Sequence, residues 1–220
     1  MSQIGLPFAW GEQAGPGEFI VAEPNRLAAR HIEQWREWPI PISILSGPPR
    51  SGKSLLARHF AAISGGTIID DANRRDNQTL FHAWNVARDS GVPLLLIVRE
   101  APQGWTVSLP DLRSRLAAAP HVRIEEPDEA LMIALIEAGL GQAGSAFAAD
   151  VPSWLARRIE RSYVAVAALL QRLNALSLAS GRKITVTTAK EALQSAGFLP
   201  IDEEERDPPS DSESPDKQSQ

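Results

Sequence analysis

The segment GPPRSGKS, residues 47–54, sets Gly47, Gly52, Lys53 and Ser54 in the spacing Gly-x-x-x-x-Gly-Lys-Ser, the pattern of a phosphate-binding loop. Glycines allow the backbone to wrap so that its N–H groups aim at phosphate oxygens. Lys53 brings a positive charge to the outer phosphates, and the Ser54 hydroxyl, at a helix N-terminus, can ligate Mg²⁺. The whole stretch of Gly47, Pro48, Pro49, Arg50, Ser51, Gly52, Lys53 and Ser54 is therefore a candidate cradle for ATP or ADP. Such a loop needs a carboxylate for the metal at the end of a nearby apolar strand, and TIIDD, residues 67–71, supplies Asp70 and then Asp71. Asp70 is read as holding Mg²⁺ through water, opposite Ser54. Asp71 either orients an attacking water or caps the segment that follows.

These residues need a strand before the loop and a helix after it. PISILS (41–46) is a short apolar run rich in β-branched residues, and KSLLARHFAAIS (53–64) carries apolar residues at helical spacing. GTIID (66–70) and VPLLLIV (92–98) read as further buried strands, TLFHAWNVARD (79–89) as a helix, and PNRLAARHIEQWREWP (24–39) as a first helix between two prolines. Strands alternating with helices imply a parallel sheet covered on both faces. After Pro127 the pattern becomes helical throughout, with Gly181 as a helix stop and KITV as a short extended piece before a last helix. Trp35, Trp84 and Trp154 fall within helical patterns and are expected in the core.

At 220 residues and 43% hydrophobic composition, the chain can build one mid-sized core or two small ones. It has no cysteine, which excludes disulfides, thiolate metal sites and thiol nucleophiles, and its four histidines, His31, His59, His82 and His121, lack metal-ligand spacing. No apolar run reaches the ~18 residues that cross a bilayer, and the start lacks the basic-then-apolar pattern of an export signal. A soluble, cytoplasmic protein without a membrane partner is expected. The net charge of −5 is concentrated in residues 201–220, which hold eight acidic and two basic residues. That stretch, nearly free of apolar side chains, is expected to be a disordered acidic tail. Arg157, Arg158 and Arg161 cluster near one helix, but a solvated basic face is the commoner arrangement, and the six tryptophans are not interleaved with basic residues as a base-stacking surface requires. DNA is expected only as an indirect partner.

Phosphate loop, Asp-Asp strand, third apolar strand and helical second half together resemble the AAA+ ATPases, and within them the bacterial replication initiator DnaA and its small relative Hda. The resemblance spans most of residues 3–195. TIIDDAN (67–73) is similar to the family's acidic strand end, SLPDLRSRL (108–116) to the segment ending in the arginine finger, and residues 155–193 to the helical lid with its RKIT turn. The implied fold class is α/β: a P-loop AAA+ core with a trimmed parallel sheet, followed by a small all-helical lid. The implied division is an N-terminal arm and linker at 1–23, the core at 24–126, the lid at 127–199 and the acidic tail at 200–220. QIGLPF (3–8) resembles the short motif by which Hda docks on the DNA polymerase sliding clamp. Gln3 would satisfy polar groups at the rim of a pocket, Pro7 would extend the backbone, and Leu6 and Phe8 would fill the pocket. The resemblance gives Arg115 as the finger offered in trans to ATP on DnaA, with Arg113 as the neighbouring alternative. It implies a regulator that stimulates hydrolysis on DnaA and prevents re-initiation, the alternative being a clamp-associated ATPase or adaptor; homo-oligomerisation is left open.

The chain also departs from the family. Only seventeen positions separate Lys53 from Asp70, too few for an additional strand and helix, so four strands are expected and not five. Arg99 and Glu100 stand where the first sensor carries Thr/Ser-x-Asp-Arg. Val164 occupies the place of the second-sensor arginine, with Arg161 one helical turn earlier as a possible substitute. These changes imply nucleotide binding with little intrinsic hydrolysis.

Overall fold

A computed structural model describes residues 19–195. The expected clamp-docking residues Gln3, Leu6, Pro7 and Phe8, most of the expected arm and linker, and the acidic tail lie outside the described residues.

The sheet is parallel and four-stranded, in the order β2-β3-β1-β4, built from β1 (Ile42–Ser46), β2 (Thr67–Ile69), β3 (Leu94–Ile97) and β4 (His121–Arg123). Central β1 and β3 are buried along their whole length, which is why they read as continuous apolar runs. Alternation sorts their side chains. Ile42, Ile44, Leu94 and Leu96 face Leu80 and Trp84 of α3 (Asn77–Ser90) and Leu112 and Leu116 of α4 (Pro110–Ala118). Leu45, Leu95 and Ile97 face Ile32 of α1 (Glu23–Glu33) and Leu56 and Phe60 of α2 (Lys53–Ser64). The shortened interval after Lys53 has its expected result: α2 runs into β2 with no further strand between them.

Two elements differ from the sequence pattern. β4 was not legible, because its three residues run exposed, half-buried, exposed and carry His121 and Arg123. The first helix ends at Glu33, and Trp35–Glu37 continue as a 3₁₀ turn. Trp84 is buried as expected, whereas Trp35 and Trp154 are half-buried.

The helical part comprises α5 (Glu129–Gln142), α6 (Val151–Ala156), α7 (Tyr163–Ser180) and α8 (Val186–Ser195) around Met132, Ile136, Leu155, Leu169 and Leu173. Asp128 caps α5 by accepting from the Leu131 N–H at 2.8 Å, and Ser162 caps α7 by accepting from the Ala165 N–H at 3.1 Å. Gly181 ends α7 at φ 62°, and the extended piece after it forms a single bridge, Ile184 to Phe147. Among the described residues, α7 alone reaches the length and hydropathy, 1.2, of a candidate membrane span. This qualifies the sequence expectation, although Val166, Leu169 and Leu173 are buried in the helical core and Gln171, Arg172 and Asn174 interrupt the run. Tyr163 packs with the sheet-side cluster, and its hydroxyl donates to the Glu125 carbonyl at 3.0 Å.

Candidate nucleotide site

β1 delivers the chain into the glycine-containing loop at the carboxyl ends of the strands, and α2 starts at Lys53. The loop wraps closely on its supports. A Cβ at Gly47 would lie 2.9 Å from the Ile124 carbonyl oxygen, and one at Gly52, whose φ is +87°, would lie 2.8 Å from the Phe19 ring. Arg50 adopts the left-handed conformation at φ 61°, uncommon for a residue with a side chain. The Ser51 hydroxyl is buried and without a hydrogen-bond partner among the described residues. A turned, glycine-lined cradle with an unsatisfied hydroxyl inside fits a bound phosphate group.

Lys53 folds back into this cradle, where its Nζ donates to the carbonyls of Gly47 and Pro48 at 2.8 and 2.6 Å. Burial pulls its pKa below the usual lysine value; Asp70 and Asp71 oppose that shift, and Arg99 adds to it. Ser54 is the second residue of α2 and its side chain is exposed.

Ile69 pairs with Leu96, which pairs with Ile44, so Asp70 and Asp71 leave β2 at the same end of the sheet as the loop. The Asp70 Oδ1 accepts from the Asp71 N–H at 2.8 Å. Asp71, at φ 49°, precedes the 3₁₀ turn Ala72–Arg74, yet its side chain accepts no capping hydrogen bond. The turn is made by its backbone and not by a side-chain cap. Sequence reasoning noted Arg99 only as a departure. The strand register places it at the same end of the sheet, and its charge acts on Lys53.

Arg115 is not brought to this cradle. It projects from α4, on the opposite face of the sheet from α2, and its guanidinium is held on three sides. Nε and Nη2 donate to Asp111, Nη1 donates to the Asn85 Oδ1 at 2.8 Å, and the group lies 4.9 Å from the centre of the Phe81 ring. Its side chain remains 23% exposed. Arg113 is exposed and its guanidinium donates to the Val107 carbonyl.

Opposite the loop, a cleft of about 390 Å³ opens between Pro48–Pro49 and the start of α7, walled by Glu126, Glu160, Ser162 and Val164. Val164 is 46% exposed there, and Arg161 is not part of the wall. Glu126, Asp128 and Glu125 add to burial in raising the Tyr163 phenol well above its ordinary pKa. Arg158 stacks 4.2 Å over the Trp154 ring, and Arg157 donates to the Ser153 carbonyl at 3.1 Å. A second hollow, of about 480 Å³, belongs to the helical part alone, beside Arg182 and Lys183.

No protein-family model matches the chain. Among solved structures it is similar to domain III of the replication initiation protein DnaA from Thermotoga maritima, at 16% identity and TM-score 0.68, covering 80% of this chain and 94% of that one. It is also similar to replication initiator DnaA bound to AMPPCP and single-stranded DNA, at 18% identity and TM-score 0.60, covering 81% and 66%. The RuvB Holliday junction branch migration motor of T. maritima matches at 13% identity and TM-score 0.60, covering 78% and 68%. These likenesses show the fold: an AAA+-type P-loop α/β core with a trimmed four-stranded sheet, followed by helices.

Proposed function

We propose that this chain is a nucleotide-binding regulator of chromosomal replication, of the DnaA-related Hda type. It docks on the DNA polymerase sliding clamp through Gln3, Leu6, Pro7 and Phe8, and uses Arg115 to stimulate hydrolysis of ATP bound to DnaA. The observation that carries the reading is the placement of Arg115. A guanidinium held firmly on the face away from its own phosphate loop is arranged to serve a nucleotide on another molecule.

The chain's own site binds ATP or ADP. The backbone of residues 47–54 and Lys53 hold the phosphates, Ser54 and Asp70 hold Mg²⁺, and the metal neutralises phosphate charge when bound. Asp71 is the candidate to orient water. Nucleotide binding is supported by the glycine-lined cradle and by the nucleotide-bound DnaA neighbour. The cleft wall facing the loop carries Glu126, Glu160 and Val164; with no cation there, intrinsic turnover is slow. Residues 24–126 form the core and 127–199 a lid, a division supported by a hydrophobic cluster made of the helices alone, while Leu131 and Tyr163 of the helical part pack into the sheet-side cluster. Cytoplasmic location and contact with DNA only through partners complete the reading.

The test is the rate at which labelled ATP on DnaA becomes ADP when this protein and clamp loaded on DNA are added. Strong, clamp-dependent stimulation that is lost in Arg115→Ala supports the regulator. Clamp binding without stimulation leaves an adaptor, or an ATPase with another client.

A further inference from the structure

We propose that the acidic segment IDEEE, residues 201–205, docks on the hollow of the helical part, as an intramolecular contact with Arg182, Lys183 and Leu178. The contact involves neither the phosphate loop nor Arg115, so it stands apart from the nucleotide and finger readings above.

The hollow lies between the end of α7 and the turn after α5, and its wall holds donors and cations but no carboxylate. Small residues, Ala143, Gly144 and Ala175 among them, line it, so an extended chain can approach closely. The Ser145 hydroxyl donates to the Asn174 Oδ1 at 3.1 Å, which orients the amide and leaves its N–H groups for an acceptor. Arg182 and Lys183 complete the wall. Both are exposed, and among the described residues neither side chain makes a hydrogen bond or ion pair. The cleft beside the phosphate loop has the opposite character, with Glu126 and Glu160 in its wall.

Leu178, also in the wall of the hollow, is 88% exposed. A single exposed leucine is ordinary on a protein surface. Beside two unmatched cations and an oriented amide, it defines a ligand that carries carboxylates next to an apolar residue.

The chain carries such a ligand itself. FLPIDEEE, residues 198–205, sets apolar residues directly before four consecutive carboxylates, Asp202 to Glu205, and Pro200 favours an extended backbone. Reach permits the return. α8 starts at Val186, three residues after Lys183, and its ten residues carry the chain about 15 Å along the helix to Ser195. Ile201 lies six residues past Ser195 and Glu205 ten, an extended span of roughly 20–33 Å. Exposed ion pairs are individually weak, but a short tether holds the segment at roughly millimolar effective concentration, so a few of them suffice. The same tether favours this segment over a foreign acidic peptide.

The chain has no cysteine, so Asp207→Cys in the full-length protein takes a single nitroxide label. In amide NMR spectra of the isotope-enriched, labelled chain, the signals of Gly144, Leu178 and Gly181 are expected to lose most of their intensity. They should regain it in the double variant Arg182→Gln, Lys183→Gln and in about 1 M salt, where the screening length falls to ~3 Å. Leu178→Ser should restore part of it. Signals of Ile44 and Leu96 in the sheet report that each variant is folded. Full intensity at the hollow, loss centred instead on Arg157 and Arg158, or loss at the hollow that the double variant and salt leave unchanged each overturns the assignment. Mixing nitroxide-labelled chain with enriched, unlabelled chain tests the source. Equal loss in that mixture would place the segment of a second copy on the hollow and overturn the intramolecular contact.

Discussion

The Arg115 guanidinium lies fork to fork against the Asp111 carboxylate, Nε to Oδ1 at 3.0 Å and Nη2 to Oδ2 at 2.7 Å, one helical turn apart on α4. Three of its five N–H groups are committed to Asp111 and Asn85, and two remain for another acceptor. A guanidinium fixed in this way loses little further side-chain entropy if it binds a phosphoryl group, as the proposed finger role requires.

On the proposed regulator function, Asp111→Ala should lower the stimulated rate of hydrolysis on DnaA by roughly 10- to 100-fold, the scale for a misplaced catalytic group. The protein concentration that gives half the maximal effect should stay the same. Steady-state assays over a range of protein concentrations separate the two. A shift in half-saturation with an unchanged maximal rate would mean that Asp111 serves docking and not positioning.

Gly52 combines a φ of +87° with a phenyl ring where a Cβ would go. Gly52→Ala is expected to cost about 1–3 kcal/mol, the range for a side chain held in left-handed backbone, and to weaken nucleotide binding because the loop must shift. Urea denaturation followed by nucleotide titration measures both effects.

Tyr163→Phe removes the hydroxyl that donates to the Glu125 carbonyl where the chain leaves the sheet for the helices. A loss of about 1 kcal/mol is expected for one partly buried hydrogen bond, read as a lower urea midpoint with an unchanged slope.

Two histidines make stability depend on pH. The Ser43 hydroxyl donates to the Pro120 carbonyl at 3.1 Å, so at the 2.7 Å contact with His31 it accepts, and His31 Nε2 carries the proton of the neutral ring. His121 Nε2 lies 2.7 Å from the Ser46 hydroxyl. Burial lowers both pKa values below 6.5; His121 adds to the effect on His31, and Arg123 adds to that on His121. With folded values below unfolded ones, the unfolded chain binds more protons in this window, so stability rises with pH up to about 6.5 and falls as the solution is acidified below it. Thermal melts across pH 5 to 7.5, as an approximate range around the reference histidine value, should show this slope reduced in His31→Gln.

Much of the fold was legible because its central strands are apolar on both faces and its loop glycines stand at fixed spacing. The run PISILS before the loop and KSLLARHFAAIS after it specify strand, turn and helix by composition and period, and the seventeen positions from Lys53 to Asp70 leave no room for a fifth strand. β4 escaped because an edge strand of three residues with two polar side chains has no periodic signature. Arg99 was read only as a departure because the effect of its charge on Lys53 depends on strand order. β3 lies between β1 and β2 in space but follows both in sequence. The shared hold of Asp111, Asn85 and Phe81 on Arg115 likewise joins two helices that sequence reading treats separately.

The margins of the sheet carry one more consequence. β2 and β4 close it on either side with three residues each, and strands this short present few unpaired backbone groups to a passing chain. Among the described residues the sheet thus has no long sticky edge. Runaway strand-by-strand stacking finds no template along this sheet, and a second molecule that docks on the core must grip side chains of the helices and loops.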